Sequence, residues 1–211
     1  MHLDADGFAR NVFINCPFDA EYLRLAQDLI FTVLDCGFEP RIASERADSG
    51  QARIEKIRDL IRSCRLSIHD ISRMEPLQTG DLPRFNMPFE LGLDLGCRYY
   101  GSDGLTTKQC LVLEKDRHRY QRVLSDLSGN DVRAHGGDPE CLVLEVRNWL
   151  RVTVSRKLPS SSQIWQRLNL FRDEFGLTLR QFGYSARDIA SLEMAEYIQF
   201  VKDWQDATRS A

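Results

Sequence analysis

Short apolar, β-rich runs alternate with longer stretches of helical period from Asn11 to about Lys157. Asn11–Asn15 (NVFIN) predicts a strand, ended by Cys16-Pro17-Phe18-Asp19. Asp19 suits an N-cap. Tyr22, Leu25, Leu29, Ile30, Val33 and Leu34 then share one helical face, and Gly37 is a natural stop. Phe38–Ala43 predicts a second strand, which Pro40 directs to a sheet edge. After the polar SERADSG, residues Ile54, Ile57, Leu60, Ile61 and Cys64 mark a second amphipathic helix. Leu66–Ile71 and Gln109–Glu114 predict strands three and four, separated by a long loop and a helix that opens at Pro88. A helix over Tyr120–Leu127, a short strand over Val132–His135 and a helix from Pro139 to about Lys157 complete the pattern.

Strands and helices alternating with such short connections imply βαβ units. The expected fold is therefore α/β: a flavodoxin-like three-layer architecture with about five mostly parallel strands in the order 2-1-3-4-5. In that order the ligand crevice lies between strands one and three, at their C-terminal ends. The loops leaving those strands, NCPFD and DISRM…PFELG, flank it. Composition shifts at Leu158–Ser162 (LPSSS), which divides the chain into an α/β domain over 1–158 and a helical extension over 159–211. In the extension, Ile164, Leu168, Phe171 and Phe175 recur at helical spacing, with Gly176 as a stop. Ser185–Asp188 reads as a capping box, and Met194, Tyr197, Ile198, Val201 and Trp204 form a last apolar stripe. The extension can serve as a packing layer or as a surface for oligomerisation or a partner.

Composition narrows the function classes. A net charge of -3 over 211 residues gives no global attraction to nucleic acid or anionic membrane, so neither is an expected partner. The six cysteines are scattered without a CxxC pair, mostly in apolar runs. That pattern suits buried thiols in a reducing compartment rather than disulfides or a zinc site. The opening MHLDADGFAR has no signal-peptide pattern and the apolar runs are too short to span a bilayer, so a cytoplasmic protein is expected. No GxGxxG, GxxxxGK[ST] or HExxH occurs. Rossmann dehydrogenation, Walker-type ATP hydrolysis and zinc proteolysis thus lack motif support, and no cofactor or metal is expected.

Two carboxylates stand out. With Pro88 at the first helical position, Glu90 falls in the first turn, where the dipole favours its ionised form. It can stabilise that helix end. It can also face the positive charge that develops when an N-glycosidic bond breaks through an oxocarbenium-like state. Asp70 ends strand three, where it can hold sugar hydroxyls, cap the turn, or pair with Arg73 or Arg84. His69, on the same strand, reads as a hydrogen-bonded core residue. Arg73 and Arg84 can take a phosphate or remain solvated loop arginines, and Phe85, beside Asn86, can stack on a base. Asn15, Cys16, Pro17 and Phe18 form the opposite lip of the crevice.

The run NVFINCPFD, RIASERADSGQARI, LIRSCRLSIHDISR and PRFNMPFELG resembles bacterial TIR-like domains and is similar to the nucleoside 2-deoxyribosyltransferases. The resemblance covers about residues 10 to 150. It implies roles for Asp70, which matches the aspartate ending strand three in the transferases, and for Glu90 in Phe89-Glu90-Leu91-Gly92, which matches their nucleophile. In TIR domains a glutamate in a W-x-x-E-L-like context supports NAD cleavage. Here Glu90-Leu91 fits, but Phe85 is the nearest aromatic before it. The resemblance implies cleavage of NAD, as substrate rather than cofactor, or of a related nucleotide, in an anti-phage defence or toxin role. It also implies homo-oligomer or partner contacts through Ser44–Gly50, which resembles the TIR BB loop. Two alternatives stand beside it: a non-catalytic nucleotide-sensing module, and a deoxyribosyltransferase. A cationic nicotinamide leaves without a general acid, so a single well-placed carboxylate favours NAD.

Overall fold

The computed structural model describes residues 5–45, 49–74, 76, 82–102, 104–154 and 156–209. Five strands form one all-parallel sheet in the order β2-β1-β3-β4-β5. They are β1 (Asn11–Asn15), β2 (Glu39–Arg41), β3 (Leu66–Asp70), β4 (Gln109–Glu114) and β5 (Val132–Ala134). This is the flavodoxin-like order. Pro40, which cannot donate to a ladder, sits on the edge strand β2 opposite Val12.

Helices α2 (Leu23–Asp35) and α5 (Pro139–Thr153) cover one face of the sheet; α3 (Arg53–Arg62) and α4 (Asn86–Tyr100) cover the other. The alternation along β3 explains its mixed composition. Leu66 and Ile68 enter the core against α2 and α5. Ser67 and His69 point to the other face, where both bond to Asp94 of α4. A six-residue helix, α1 (Ala5–Arg10), leads into β1.

The extension forms α6 (Ser161–Gln181), α7 (Ala186–Ala190) and α8 (Met194–Arg209). Its residues Ile164, Leu168, Phe171, Tyr197 and Val201 belong to the same core cluster as Leu29 and Phe31 of α2 and Val146 of α5. The Phe171 ring lies 5.5 Å from that of Phe31 and 5.5 Å from that of Trp204. Burying each such side chain contributes about 1.5–3 kcal/mol. Polar ties cross the same seam: Arg172 bonds Asp28, Arg167 bonds Asp35 at 2.9 Å, and Gln205 bonds Asp35 at 3.2 Å. The extension is thus a packing layer on α2 and α5.

Several predicted boundaries move, each for a local reason. The helix expected over Tyr120–Leu127 is two 3-10 turns, Arg119–Arg122 and Ser125–Leu127, because Leu124 between them takes φ -129, ψ 59. Asp19 closes a turn, accepting from Tyr22 N at 3.1 Å through its side chain, and α2 begins only at Leu23. Gly176 does not stop α6, which runs on to bury Leu179. The left-handed conformation that ends the helix belongs to Gly183, at φ +85. Helix α5 ends at Thr153 instead of Lys157. Ser160 and Gln163, and again Ser185 and Asp188, form reciprocal capping boxes at α6 and α7. Among the described residues no helix is long and apolar enough to cross a membrane.

Candidate functional site

A cavity of about 320 Å³ opens at the C-terminal end of β1, between Ala43 and Ser44 of the chain leaving β2 and the start of α4, on the sheet edge where this strand order has its switch point. The end of β1 brings Asn15, Cys16 and Phe18 to it, and α4 brings Asn86, Met87 and Glu90. Arg84 joins from the loop before α4, and Arg53 from the first residue of α3.

Glu90 lies deep in this cavity, 5% exposed. Helix α4 starts at Asn86, two residues before the expected Pro88. Proline is tolerated as the third helical residue because its missing N–H would have no intrahelical partner there. The shift makes Glu90 the fifth residue, beyond the first turn, so the dipole argument for its ionisation fails. Burial instead pushes the carboxyl up from its ordinary 4.5, and the Arg53 guanidinium, 4.0 Å away, offsets part of that rise. Among the described residues Glu90 has no other ionic or hydrogen-bond partner.

Asp70 is elsewhere. It points to the α2/α5 face, is 0% exposed, and does not line the cavity. Its carboxylate accepts from the Tyr22 hydroxyl, from Ser72 N at 2.9 Å and from His135 Nε2 at 3.0 Å. Burial alone would raise its pKa, but His135, Ser72 and Tyr22 outweigh that and hold it below 3.8. The role of sugar-binding carboxylate expected for Asp70 is therefore corrected to a structural anchor.

Ser72, His135 and Asp70 match a hydrolase triad by residue type but not by proton geometry. His135 Nδ1 accepts from Gly137 N at 3.0 Å, which leaves the ring proton on Nε2. Nε2 faces both Asp70 and Ser72 Oγ, at 3.0 and 3.1 Å, so it cannot take a proton from the serine. His69 is pinned likewise. Asn15 Nδ2 donates to its Nδ1 at 3.0 Å and to Met87 O at 2.9 Å, and Nε2 meets Asp94 at 3.0 Å. Lys108 Nζ lies 3.1 Å from the same Asp94. Burial opposes the charge of Asp94, yet His69, Lys108 and Ser67 hold its carboxyl at about 2. Neither imidazole is presented to the cavity. This buried network instead fixes Asn15, and through Met87 O the start of α4, one turn from Glu90.

The remaining expected residues divide. Arg84 lines the cavity, with its guanidinium 3.8 Å from Asp19. Arg73 does not: it bonds Asp19 and Glu21 at 2.9 Å each, which removes it as a phosphate ligand. Phe85 is 67% exposed and stands outside the lining, between Arg84 and Asn86, which belong to it. Pro17 shapes the β1 exit but does not face the cavity. The Cys16 thiol is pushed well above 9.0 by burial and by Asp70, Glu90 and Asp19, so it presents no thiolate. Of the loop Ser44–Gly50, Ser44 lines the cavity, and residues 46–48 lie outside the described residues.

Sequence reasoning missed Arg53 and the turn Leu192-Glu193-Met194 of the extension. Arg53 follows a loop that the strand order already brings to this edge. The extension turn carries no local signal, since only the packing of α8 brings it here. Among the described residues no group of three or more His, Cys, Asp or Glu is placed to hold a metal. The fold and site thus define a flavodoxin-like α/β protein with one buried carboxylate and two arginines at its switch-point cavity. No family model matches the chain, and no curated protein or solved structure matches it either.

Proposed function

We propose that this cavity cleaves the N-glycosidic bond of NAD or a related nucleotide. The observation that carries the reading is Glu90, a desolvated carboxylate at the cavity floor whose single charged partner among the described residues stands 4.0 Å away. Holding that charge, buried and only partly offset by Arg53, is unfavourable. A ribosyl cation forming at C1′ relieves the cost, so the carboxylate stabilises the transition state more than the ground state. Glu90 then shields the oxocarbenium from one face or captures it, and water completes hydrolysis at C1′.

The pinned histidines favour NAD over an ordinary nucleoside. A neutral base leaves only if protonated, whereas nicotinamide departs from a cation with no acid required. Arg53 and Arg84 would meet the diphosphate. A cavity at the small end of the ~300–1,000 Å³ typical of ligand sites suits the nicotinamide ribose, with the rest of the dinucleotide running outward. The resemblance to TIR-like domains supports the same reading and its defence or toxin context, with assembly through the Ser44–Gly50 loop.

The test is wild type and Glu90→Gln incubated with NAD and with a deoxynucleoside panel, followed by chromatography. Glu90-dependent nicotinamide release is expected. Base exchange on deoxynucleosides without loss of NAD would move the chain to the transferases. Turnover of neither, with nucleotide still bound, would make it a sensing module.

A further inference from the structure

The cavity around Glu90 is closed on one side by the turn joining α7 to α8, where Leu192, Glu193 and Met194 line it beside Asn15 and Arg84. The turn is held at both ends. Ser191 N bonds Arg187 O at 3.1 Å at the end of α7. The Glu193 carbonyl accepts from Glu196 and Tyr197 N–H groups at 3.0 Å each, so Glu193 opens the first turn of α8. Tyr197, 3% exposed, stands against Phe171 and donates its hydroxyl to Gln27 O of α2 at 3.3 Å. Lys202 of α8 pairs with Glu39 of β2. The wall is thus tied to the sheet by the rigid body of α8.

Glu193 stands out chemically. It is the second carboxylate of the cavity, the place that Asp70 leaves unfilled. Its side chain is exposed where the cavity meets solvent, and among the described residues its carboxylate has no hydrogen-bond or ionic partner, so both oxygens are available to a ligand in the cavity. A carboxylate with both oxygens open matches a vicinal diol, each hydroxyl donating to one oxygen. We propose that Glu193 binds the ribose hydroxyls of the ligand and makes the α7–α8 turn the specificity wall of the site, with Leu192 and Met194 as its apolar flanks. This rests on the reading of the cavity as a ribosyl-nucleotide site. It also makes the helical extension part of that site.

The test uses the full chain. Glu90→Gln, alone and combined with Glu193→Ala or Glu193→Gln, is titrated calorimetrically with nicotinamide riboside and with its 2′-deoxy analogue. Folding is checked by circular dichroism. Loss of a charge-assisted hydrogen bond should weaken riboside binding about tenfold in Glu193→Ala. The deoxy analogue, which keeps only the 3′ hydroxyl to donate, should lose distinctly less affinity than the riboside, and Glu193→Gln should fall between. Equal loss for both sugars, no loss for either, or no binding of either riboside to the Glu90→Gln chain would overturn the proposal. NAD turnover by the wild type is scored separately. Absent turnover with the sugar discrimination intact would sink the cleavage reading and leave Glu193 as the diol ligand. Glu90-dependent turnover without the discrimination would do the reverse.

Discussion

Replacing Asp70 by alanine should cost stability without touching chemistry. Asp70 accepts from three buried donors: the Tyr22 hydroxyl, Ser72 N–H and His135 Nε2–H. In the variant His135 keeps Ser72 Oγ at 3.1 Å as an acceptor, while the Tyr22 hydroxyl and the Ser72 N–H are orphaned. Each orphaned donor costs about 1–3 kcal/mol, so the pair costs about 4 kcal/mol. At about 2–4 °C per kcal/mol for a chain of this size, Tm should fall by about 8–16 °C. The folded variant should still release nicotinamide at the wild-type rate. The dependence on acid has a defined sign. The Asp70 carboxyl sits below 3.8 in the fold, so its contribution is complete above the unfolded value of about 3.9 and is lost as pH falls through the folded one. The gap between wild type and variant should therefore be constant near neutrality and close only in strong acid. Thermal unfolding followed by circular dichroism, with turnover measured well below the variant's Tm, decides the matter. A Tm within about 2 °C of wild type, or a stable Asp70→Asn chain without turnover, would refute the anchoring role.

Glu90→Gln should be inactive yet more stable than wild type near neutral pH. Burial raises the Glu90 carboxyl above 4.5, so the wild type loses stability as pH rises through that folded value, and the Tm difference should vanish below pH 4. Phe171→Ala should cost about 3–5 kcal/mol by opening a cavity between α2 and α8, with unfolding remaining a single transition because one core spans both parts. Cys16, Cys36 and Cys64 should resist a thiol reagent at pH 8 until denaturant is added, since burial carries Cys36 and Cys64 to about 12 and Cys16 well above 9.0. Fast labelling of any of the three in the native chain would contradict the packing described for it.

Much of the fold was legible because it rests on local pattern. NVFIN and LSIHD are continuous enough to be buried strands, Pro40 marks its own edge, and Ser185–Asp188 announces its capping box. Alternating strands and helices then leave few topologies, and the strand order brings the loop after β1 and the start of α4 to one crevice. That is why Asn15, Cys16, Phe18, Arg84, Asn86 and Glu90 meet in one cavity. What the sequence could not decide is which way a side chain at the sheet edge turns and what lies opposite it. Asp70 and His69 are neighbours on β3, yet alternation sends Asp70 to Tyr22 and His135, and His69 to Asn15 and Asp94. Those partners all lie 25 to 65 residues distant along the chain, beyond any local pattern. The same holds for Glu193: nothing around it suggests a binding residue until α8 packs on α2 and swings its first turn over the Glu90 cavity. Periodicity and turn chemistry determined the elements and their order. Only the long-range packing of the core, which trades chain entropy for buried area, determined which polar groups are sealed in and which are left open to a ligand.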